Sequence, residues 1–413
     1  MLSQELIDYV IDFLHDDPPS LTNSSLVCSA WLDASRHHLF AEVTVPINRP
    51  PPSGDVLCEP LDAFTTCVKE SMHSVGRFIL NLCIYGRNTG RSKPHSVEVR
   101  AILALLEFLP HLKELSLYWL DLHVYGKASQ SSCFSLKKLF LAGIYSNNPG
   151  GNGCSTLSTL LQGFSHIHTL NIRDPTATWN DYTPNHTAQT RSVKNMVIGH
   201  VHSDAYAVYG VLLHVLSMQS LRSLDLLLSK PEQLNWIGTL VSCAHGVQAV
   251  TADITELSMK FETLHPQWSS LCLVSLPALQ TFELRFPLWI ASPYSLSQWK
   301  NAIDLLASLS SSTSLESIIM QIVCRESDFS AFKDVVSALE SLQWHDLQSC
   351  INHMPSNVKI MTINIVVKSS LRPSGDQDIQ SMAGINLTIE KEMKMQSVKL
   401  DLHFMFLQAI PLL

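Results

Sequence analysis

One spacing of apolar residues recurs along the chain from residue 75 onward: apolar-x-x-apolar-x-apolar. It stands as Val75/Phe78/Leu80, Leu112/Leu115/Leu117, Leu136/Leu139/Leu141 and Ile167/Leu170/Ile172. It returns as Val193/Met196/Ile198, Leu221/Leu224/Leu226, Val247/Val250/Ala252, Leu279/Phe282/Leu284, Leu315/Ile318/Met320 and Val358/Met361/Ile363, with Met395/Val398/Leu400 as a weaker copy. Clear copies start 24 to 43 residues apart. Short period-two segments at such spacing predict strands. Helical patterns fill the intervals. Ser96 can cap a helix containing Ile102, Leu105, Leu106 and Leu109, with Pro110 as its stop. Pro231 suits a first helical position, Glu232 the positive end of the dipole and Gly246 the stop. Phe332, Val335, Val336, Leu339 and Leu342 form a further helical stripe.

Helix–strand units repeated this often cannot each bury their own faces. Stacking buries them jointly, which is how a solenoid works. The triplets resemble leucine-rich repeats, without the usual Asn or Cys three positions after the last apolar residue. Leu120, Ile144, Pro175 and Ser229 hold those places, so the resemblance is to the long, irregular repeat type. A doubly wound α/β domain also alternates strands and helices. Ten or more units and the lack of a Gly-rich nucleotide loop count against it. Within each strand the triplet faces the core. The residue between its last two members, and the one after the third, face the other way. Those positions are Ser116 and Tyr118, Phe140 and Ala142, Asn171 and Arg173, Asp225 and Leu227, Thr251 and Asp253, and Glu283 and Arg285.

The first forty residues follow a different pattern. Leu2, Leu6, Val10, Phe13 and Leu14 share one helical stripe, widened by Ile7 and Ile11. Asp16-Asp17-Pro18-Pro19 stops that helix. A second apolar group follows, from Leu21 through Leu26, Val27, Cys28, Trp31 and Leu32 to Leu39 and Phe40. So short a segment cannot bury all of this alone. It packs on the rest of the chain or offers an apolar face to another protein. Leu39–Val45 is expected to form a first strand, and the Pro- and Gly-rich stretch 46–60 a linker. Residues 145–155, 173–192 and 368–384 read as loops.

Composition narrows the classes. Hydrophobic residues make up 46% of the 413 and charged residues only 15%, which describes a folded chain of more than one ordinary core. Residues 1–40 hold six acids and one base, net −5 of the chain's −8, which leaves −3 for the rest. No basic stripe survives in that balance, so nucleic acid is not an expected partner. The start lacks a basic n-region, and no apolar run reaches the roughly 18–20 residues that span a bilayer, so no membrane is expected either. Ten scattered cysteines without a C-x-x-C suit reduced thiols in the cytoplasm or nucleus. No nucleophile elbow, phosphate loop, dinucleotide fingerprint or zinc-protease motif occurs. His37-His38, His166/His168 and His200/His202 could each offer two metal ligands, with no third at a convincing spacing. No catalytic residue, metal or cofactor is expected.

Leu2-Ser3-x-Glu5-Leu6, Ile11, Leu14, Leu21, Ser25-Leu26-Val27-Cys28 and Trp31 together resemble an F-box, close to its basidiomycete-fungal form, with Arg36-x-His38-Leu39-Phe40 trailing. The family usually has Pro after the first Leu; this chain has Ser3. The resemblance implies an α/β architecture of an N-terminal three-helix F-box over residues 1–40, a linker and first strand over 41–70, and an irregular leucine-rich-repeat solenoid with a curved parallel sheet over 71–413. It implies a non-catalytic substrate receptor of a cullin-RING (Skp-cullin-F-box) ubiquitin ligase. Leu2, Glu5, Leu6, Ile11, Leu14, Leu21, Leu26, Val27, Cys28 and Trp31 would bind a Skp-type adaptor that links to the cullin scaffold. A target protein would sit on the concave face, on Tyr118, Phe140, Arg173, Asp225, Asp253, Glu283 and Arg285. The alternative is a leucine-rich-repeat scaffold with no ligase role.

Overall fold

The computed structural model describes residues 3–47, 60–70, 75–86, 95–124, 133–145, 153–174, 191–199, 206–227, 233–253, 276–288, 293–310, 312–324, 332–354, 356–368, 376–393 and 399–407. Leu2, His200, His202, Pro231, Glu232, Met395, Val398 and most of the expected loops lie outside them. The fold is α/β, and every recorded strand pairing is parallel. The chain divides into two compact units, Met1–Val193 with Asp204–Ser217 and Lys194–Ser203 with Met218–Leu413.

The first unit opens with α1 (Gln4–Asp12), α2 (Pro18–Ser24) and α3 (Ser29–Phe40). Asp17 caps α2, its carboxylate accepting from the Ser20 amide at 3.2 Å and the Ser20 hydroxyl at 2.6 Å. There follow β1 (Glu42–Ile47), α4 (Pro60–Glu70), α5 (Val75–Phe78), β2 (Asn81–Gly86), β3 (His95–Glu98), α6 (Val99–Leu106), β4 (Glu114–Tyr118), β5 (Leu120–His123), β6 (Phe134–Ala142), α7 (Gly153–Gln162) and β7 (Phe164–Arg173). Strand β8 (Arg191–Ile198) straddles the division, and α8 (Tyr206–Val215) and β9 (Leu216–Ser217) complete the unit. Its main sheet runs β1-β2-β4-β6-β7, with β3 and β5 forming a separate pair.

The second unit continues from β8 with β10 (Ser223–Leu227), α9 (Gln233–Cys243), β11 (Ala249–Asp253), β12 (Thr281–Leu288), α10 (Pro293–Ala307), β13 (Ser317–Cys324), α11 (Phe332–Glu340), α12 (Trp344–Asn352), β14 (Ile360–Lys368), α13 (Asp376–Glu392) and β15 (Lys399–Leu407). Its strands run β8-β10-β11-β12-β13-β14-β15.

Neither order reverses, whereas a doubly wound sheet reverses at its switch point. Burial alternates as well. Strands β2, β4, β10 and β13 bury every second residue and leave the others half-exposed. A parallel sheet covered on both faces reads instead as a continuous apolar run.

Register follows the apolar spacing. The middle member of each copy lies opposite the middle member of the next: Val43, Leu82, Leu115, Leu139 and Leu170 in the first unit. In the second unit the column is Met196, Leu224, Val250, Phe282, Ile318, Met361 and Leu400. One backbone device repeats with it. The carbonyl just after the first apolar member accepts from two consecutive amides of the next strand, as Leu80 does from Lys113 at 2.7 Å and Glu114 at 3.0 Å, and Gln248 from Gln280 at 2.8 Å and Thr281 at 3.0 Å.

Several expectations shift. Residues 75–78 are α5, so the first copy after the linker is Ile79/Leu82/Ile84 rather than Val75/Phe78/Leu80. Val75 and Phe78 are three apart, a spacing that fits a helical face equally well. The last copy is shifted by two, since Leu400 pairs with Met361 and is its middle member. Leu39 and Phe40 end α3 instead of starting a strand, and Phe40/Val43/Val45 forms an earlier copy. Within the 41–70 linker, residues 60–70 are helix α4, with Leu61 and Val68 buried. Ser96 lies in β3, its hydroxyl 2.8 Å from His123 Nδ1, and Glu98 takes the N-cap position of α6. Residues 153–155 begin α7 and 376–384 belong to α13, where loops were expected.

Candidate docking surfaces

Helix α1 carries two apolar stripes one residue apart. Ile7, Ile11 and Leu14 form one, and turn inward. Ile7 and Ile11 join Leu21 in a small core on which Leu14, Ala30, Trp31, Ala34 and Leu39 pack. Each such buried side chain contributes roughly 1.5–3 kcal/mol. The second stripe, Leu6, Val10 and Phe13, stays in solvent with Tyr9 beside it. Leu6 is 50% exposed and Phe13 70%. The Tyr9 and Phe13 rings meet edge to face at 4.8 Å. Short amide bonds, Leu26 N to Asn23 O and Val27 N to Ser24 O, both 3.1 Å, close the turn before α3 and leave Leu26 80% and Val27 63% exposed. The Gln4 amide donates to the Ala30 carbonyl at 3.2 Å, so the start of α1 meets the start of α3 beside that turn. His38 Nε2 reaches Asp12 Oδ1 at 2.8 Å, and Arg77 reaches Asp33 at 2.9 Å, tying α3 to α1 and to α5.

This geometry sorts nine of the ten expected adaptor-binding residues, Leu2 lying outside the described ones. Leu6, Leu26, Val27, Glu5 and Cys28 are exposed. Its own backbone amide, and then the Ser3 hydroxyl, hold the Glu5 carboxyl below the usual range. Leu14 and Trp31 are half-buried against the core. Ile11 and Leu21 are 0% and 1% exposed and cannot contact a partner directly, because they form the core that the three helices share. Tyr9, Val10 and Phe13 are the exposed members that the reading of the chain left out of the site. Two stripes offset by one residue look like a single wide face in sequence.

The half-exposed or exposed positions of each sheet hold the expected target residues Tyr118, Phe140, Arg173, Asp225, Glu283 and Arg285; the side chain of Asp253 lies outside what is described. In the first unit Tyr118 of β4 and Phe140 of β6 pack at 4.9 Å with planes 32° apart, and the Arg173 guanidinium of β7 lies 5.5 Å from the Phe140 ring centroid. Arg173 Nε donates to Asn171 Oδ1 at 3.2 Å, which directs the cation along the row. Ser116 lies opposite Phe140, and Tyr85 of β2 extends the row opposite Tyr118. In the second unit Asp225, Thr251 and Glu283 are in register across three strands, as are Leu227, Asp253 and Arg285. Arg285 Nε and Gln321 Nε2 each donate to Glu283 Oε1 at 2.7 Å, so this arginine is already engaged.

Of the histidine pairs, the His37 and His38 rings meet edge to face at 5.4 Å, and His166 Nδ1 lies 2.6 Å from the Ser192 hydroxyl. Among the described residues no three His, Cys, Asp or Glu side chains group as metal ligands, and no helix is long and apolar enough to cross a membrane. No family model matches the chain, and neither does any curated protein.

Proposed function

We propose that this chain is the substrate-recognition subunit of a Skp-cullin-F-box ubiquitin ligase, working in the cytoplasm or nucleus. The three-helix module at residues 3–40 takes the adaptor, and the strand array, read as an irregular leucine-rich-repeat solenoid, takes the target. The observation that carries this reading is the exposed apolar surface of the module. Six large apolar side chains stand in solvent, Leu6, Tyr9, Val10 and Phe13 along and at the end of α1, and Leu26 and Val27 in the turn before α3. Large exposed apolar patches rimmed by polar residues mark protein interaction sites. The array contributes proximity rather than chemistry, holding a target lysine near a charged ubiquitin carrier.

The test is capture of a recombinant Skp-type adaptor by Leu6→Asp combined with Leu26→Asp. Both residues are exposed, so the thermal midpoint is expected to hold while capture is lost. Leu14→Asp is unsuitable because Leu14 packs on the helical core. Undiminished capture by the folded double variant rejects the assignment. It leaves the scaffold without a ligase role as the reading of the array.

A further inference from the structure

Helix α3 belongs to two structures at once. Its Ala30, Trp31, Ala34 and Leu39 pack on the helical core of Ile7, Ile11 and Leu21. Its Asp33 pairs instead with Arg77 of α5 at 2.9 Å, and α3 packs along α5. The Arg77 guanidinium lies 4.6 Å from the ring centroid of Phe78, which is itself buried. Ala41 alone connects α3 to β1. Its carbonyl accepts from the amides of Leu80 at 3.0 Å and Asn81 at 2.8 Å. That is the same two-amide device that joins Leu80 to Lys113 and Glu114. Strand β1 then runs in parallel register with β2, from Glu42 opposite Asn81 to Ile47 opposite Gly86. Helix α3 with β1 is thus built as the first helix–strand unit of the array, beside α5 with β2.

The three helices have little stability of their own. Their fully enclosed core is Ile7, Ile11 and Leu21, and a segment below about 40 residues rarely holds together alone. Support for α1 and α2 therefore passes through α3 from the sheet. The dependence runs the other way as well. Opening α3 takes its packing from α5 and loosens the Ala41 carbonyl that β2 uses. The exposed Asp33–Arg77 pair is a minor part of this link, because such pairs are worth little. The shared helix is the main part. We propose that the three-helix module, β1, α5 and β2 open and close as one cooperative body, so that a partner seated on the module also tightens the edge of the sheet. Taking the adaptor as that partner rests on the function proposed above. A ligand that binds only the closed form lowers the open population by a factor of 1 + [L]/Kd, wherever in the body the opening is read.

Hydrogen exchange of the full chain, read by peptide mass, tests this first without a partner. Ile11→Val and Ile11→Ala thin the helical core by small and large steps. Amides of β1 and β2 are expected to exchange faster by the same factor as those of α3, while β12 and β13 keep their wild-type rates. Exchange in β1 and β2 that ignores both variants overturns the proposal, whether or not an adaptor binds. The second arm adds a recombinant Skp-type adaptor. At about 100 times its Kd, exchange in β1 and β2 is expected to slow about 100-fold, together with that in the three helices. A bound adaptor that slows the helices and leaves β2 unchanged overturns the proposal. An adaptor that does not bind, with β2 still responding to Ile11→Val and Ile11→Ala, refutes the function proposed above and supports the coupling.

Discussion

Cys350 on α12 shows how far its surroundings can set a side chain's chemistry. Burial, and then the nearby Asp304 carboxylate, push its thiol up to about 12 from an ordinary 9.0. Its Sγ lies 3.7 Å from the Ile303 carbonyl. Cys324 is buried too, while Cys28, Cys67, Cys133 and Cys243 are exposed. Thiolate is the reactive form, so reactivity should follow this division. Brief alkylation of the native chain, read by peptide mass, is expected to label Cys28, Cys67, Cys133 and Cys243 and spare Cys350 until the chain is unfolded. Labelling of Cys350 at the same rate as Cys28 would contradict the packing of α12. The linkage has a definite sign. The folded value lies above the unfolded one, so the stability this thiol carries is complete below pH 9.0 and is lost as pH rises toward 12.

At the scale of elements, three neighbouring strands of the first unit end alike. Trp119, Gly143 and Asp174 each sit two residues past the last apolar member of their strand, with φ of 54°, 59° and 46°. The Trp119 amide donates to the Ala142 carbonyl at 2.9 Å, and the Gly143 amide to the Arg173 carbonyl at 3.0 Å. The left-handed turn thus recurs with the repeat. A left-handed non-glycine residue costs roughly 1–2 kcal/mol, which the surrounding bonds must offset. At Gly143 a Cβ would also run into the Trp119 indole. Gly143→Ala is therefore expected to destabilise by about 1–2 kcal/mol from the backbone, and further from displacing the ring. Asp174→Gly, which relieves the same conformation, should not lower the thermal midpoint. Equal midpoints for Gly143→Ala and wild type would show that the indole yields freely.

At the scale of the whole molecule, the adaptor and target roles proposed above are assigned to different residues, so under that proposal they should separate by mutation. Tyr118, Phe140 and Arg173 already form one stacked row across β4, β6 and β7. Aromatic and arginine side chains tend to dominate protein interfaces. Their joint replacement by Ala is expected to change the proteins captured by proximity labelling while adaptor capture persists. Arg285 is a weaker choice than its sequence position suggested, because Glu283 occupies its guanidinium. An unchanged captured set would move the target away from this face.

The chain's own sequence determined where the strands lie and how they register. Parallel strands that share one apolar spacing bring equivalent apolar positions opposite one another, so the column from Leu115 to Leu139 and Leu170 was readable from spacing alone. That reading failed at Val75/Phe78, where the same three-residue spacing serves the helix α5, and at the last copy, where Leu400 rather than Val398 is the middle member. Tertiary structure alone decided which stripe of α1 faces water. Leu6/Val10/Phe13 and Ile7/Ile11/Leu14 have the same period and nearly the same hydrophobicity. Only the packing of Leu21, Trp31 and Leu39 against one of them makes it core and leaves the other as surface. Likewise Arg173 and Arg285 occupy equivalent positions after their triplets. Arg173 lies near the ring of Phe140 on the adjacent strand, whereas Arg285 is bound by Glu283 of its own strand, which Gln321 of the next strand also holds; which of these contacts forms is set by the cross-strand packing.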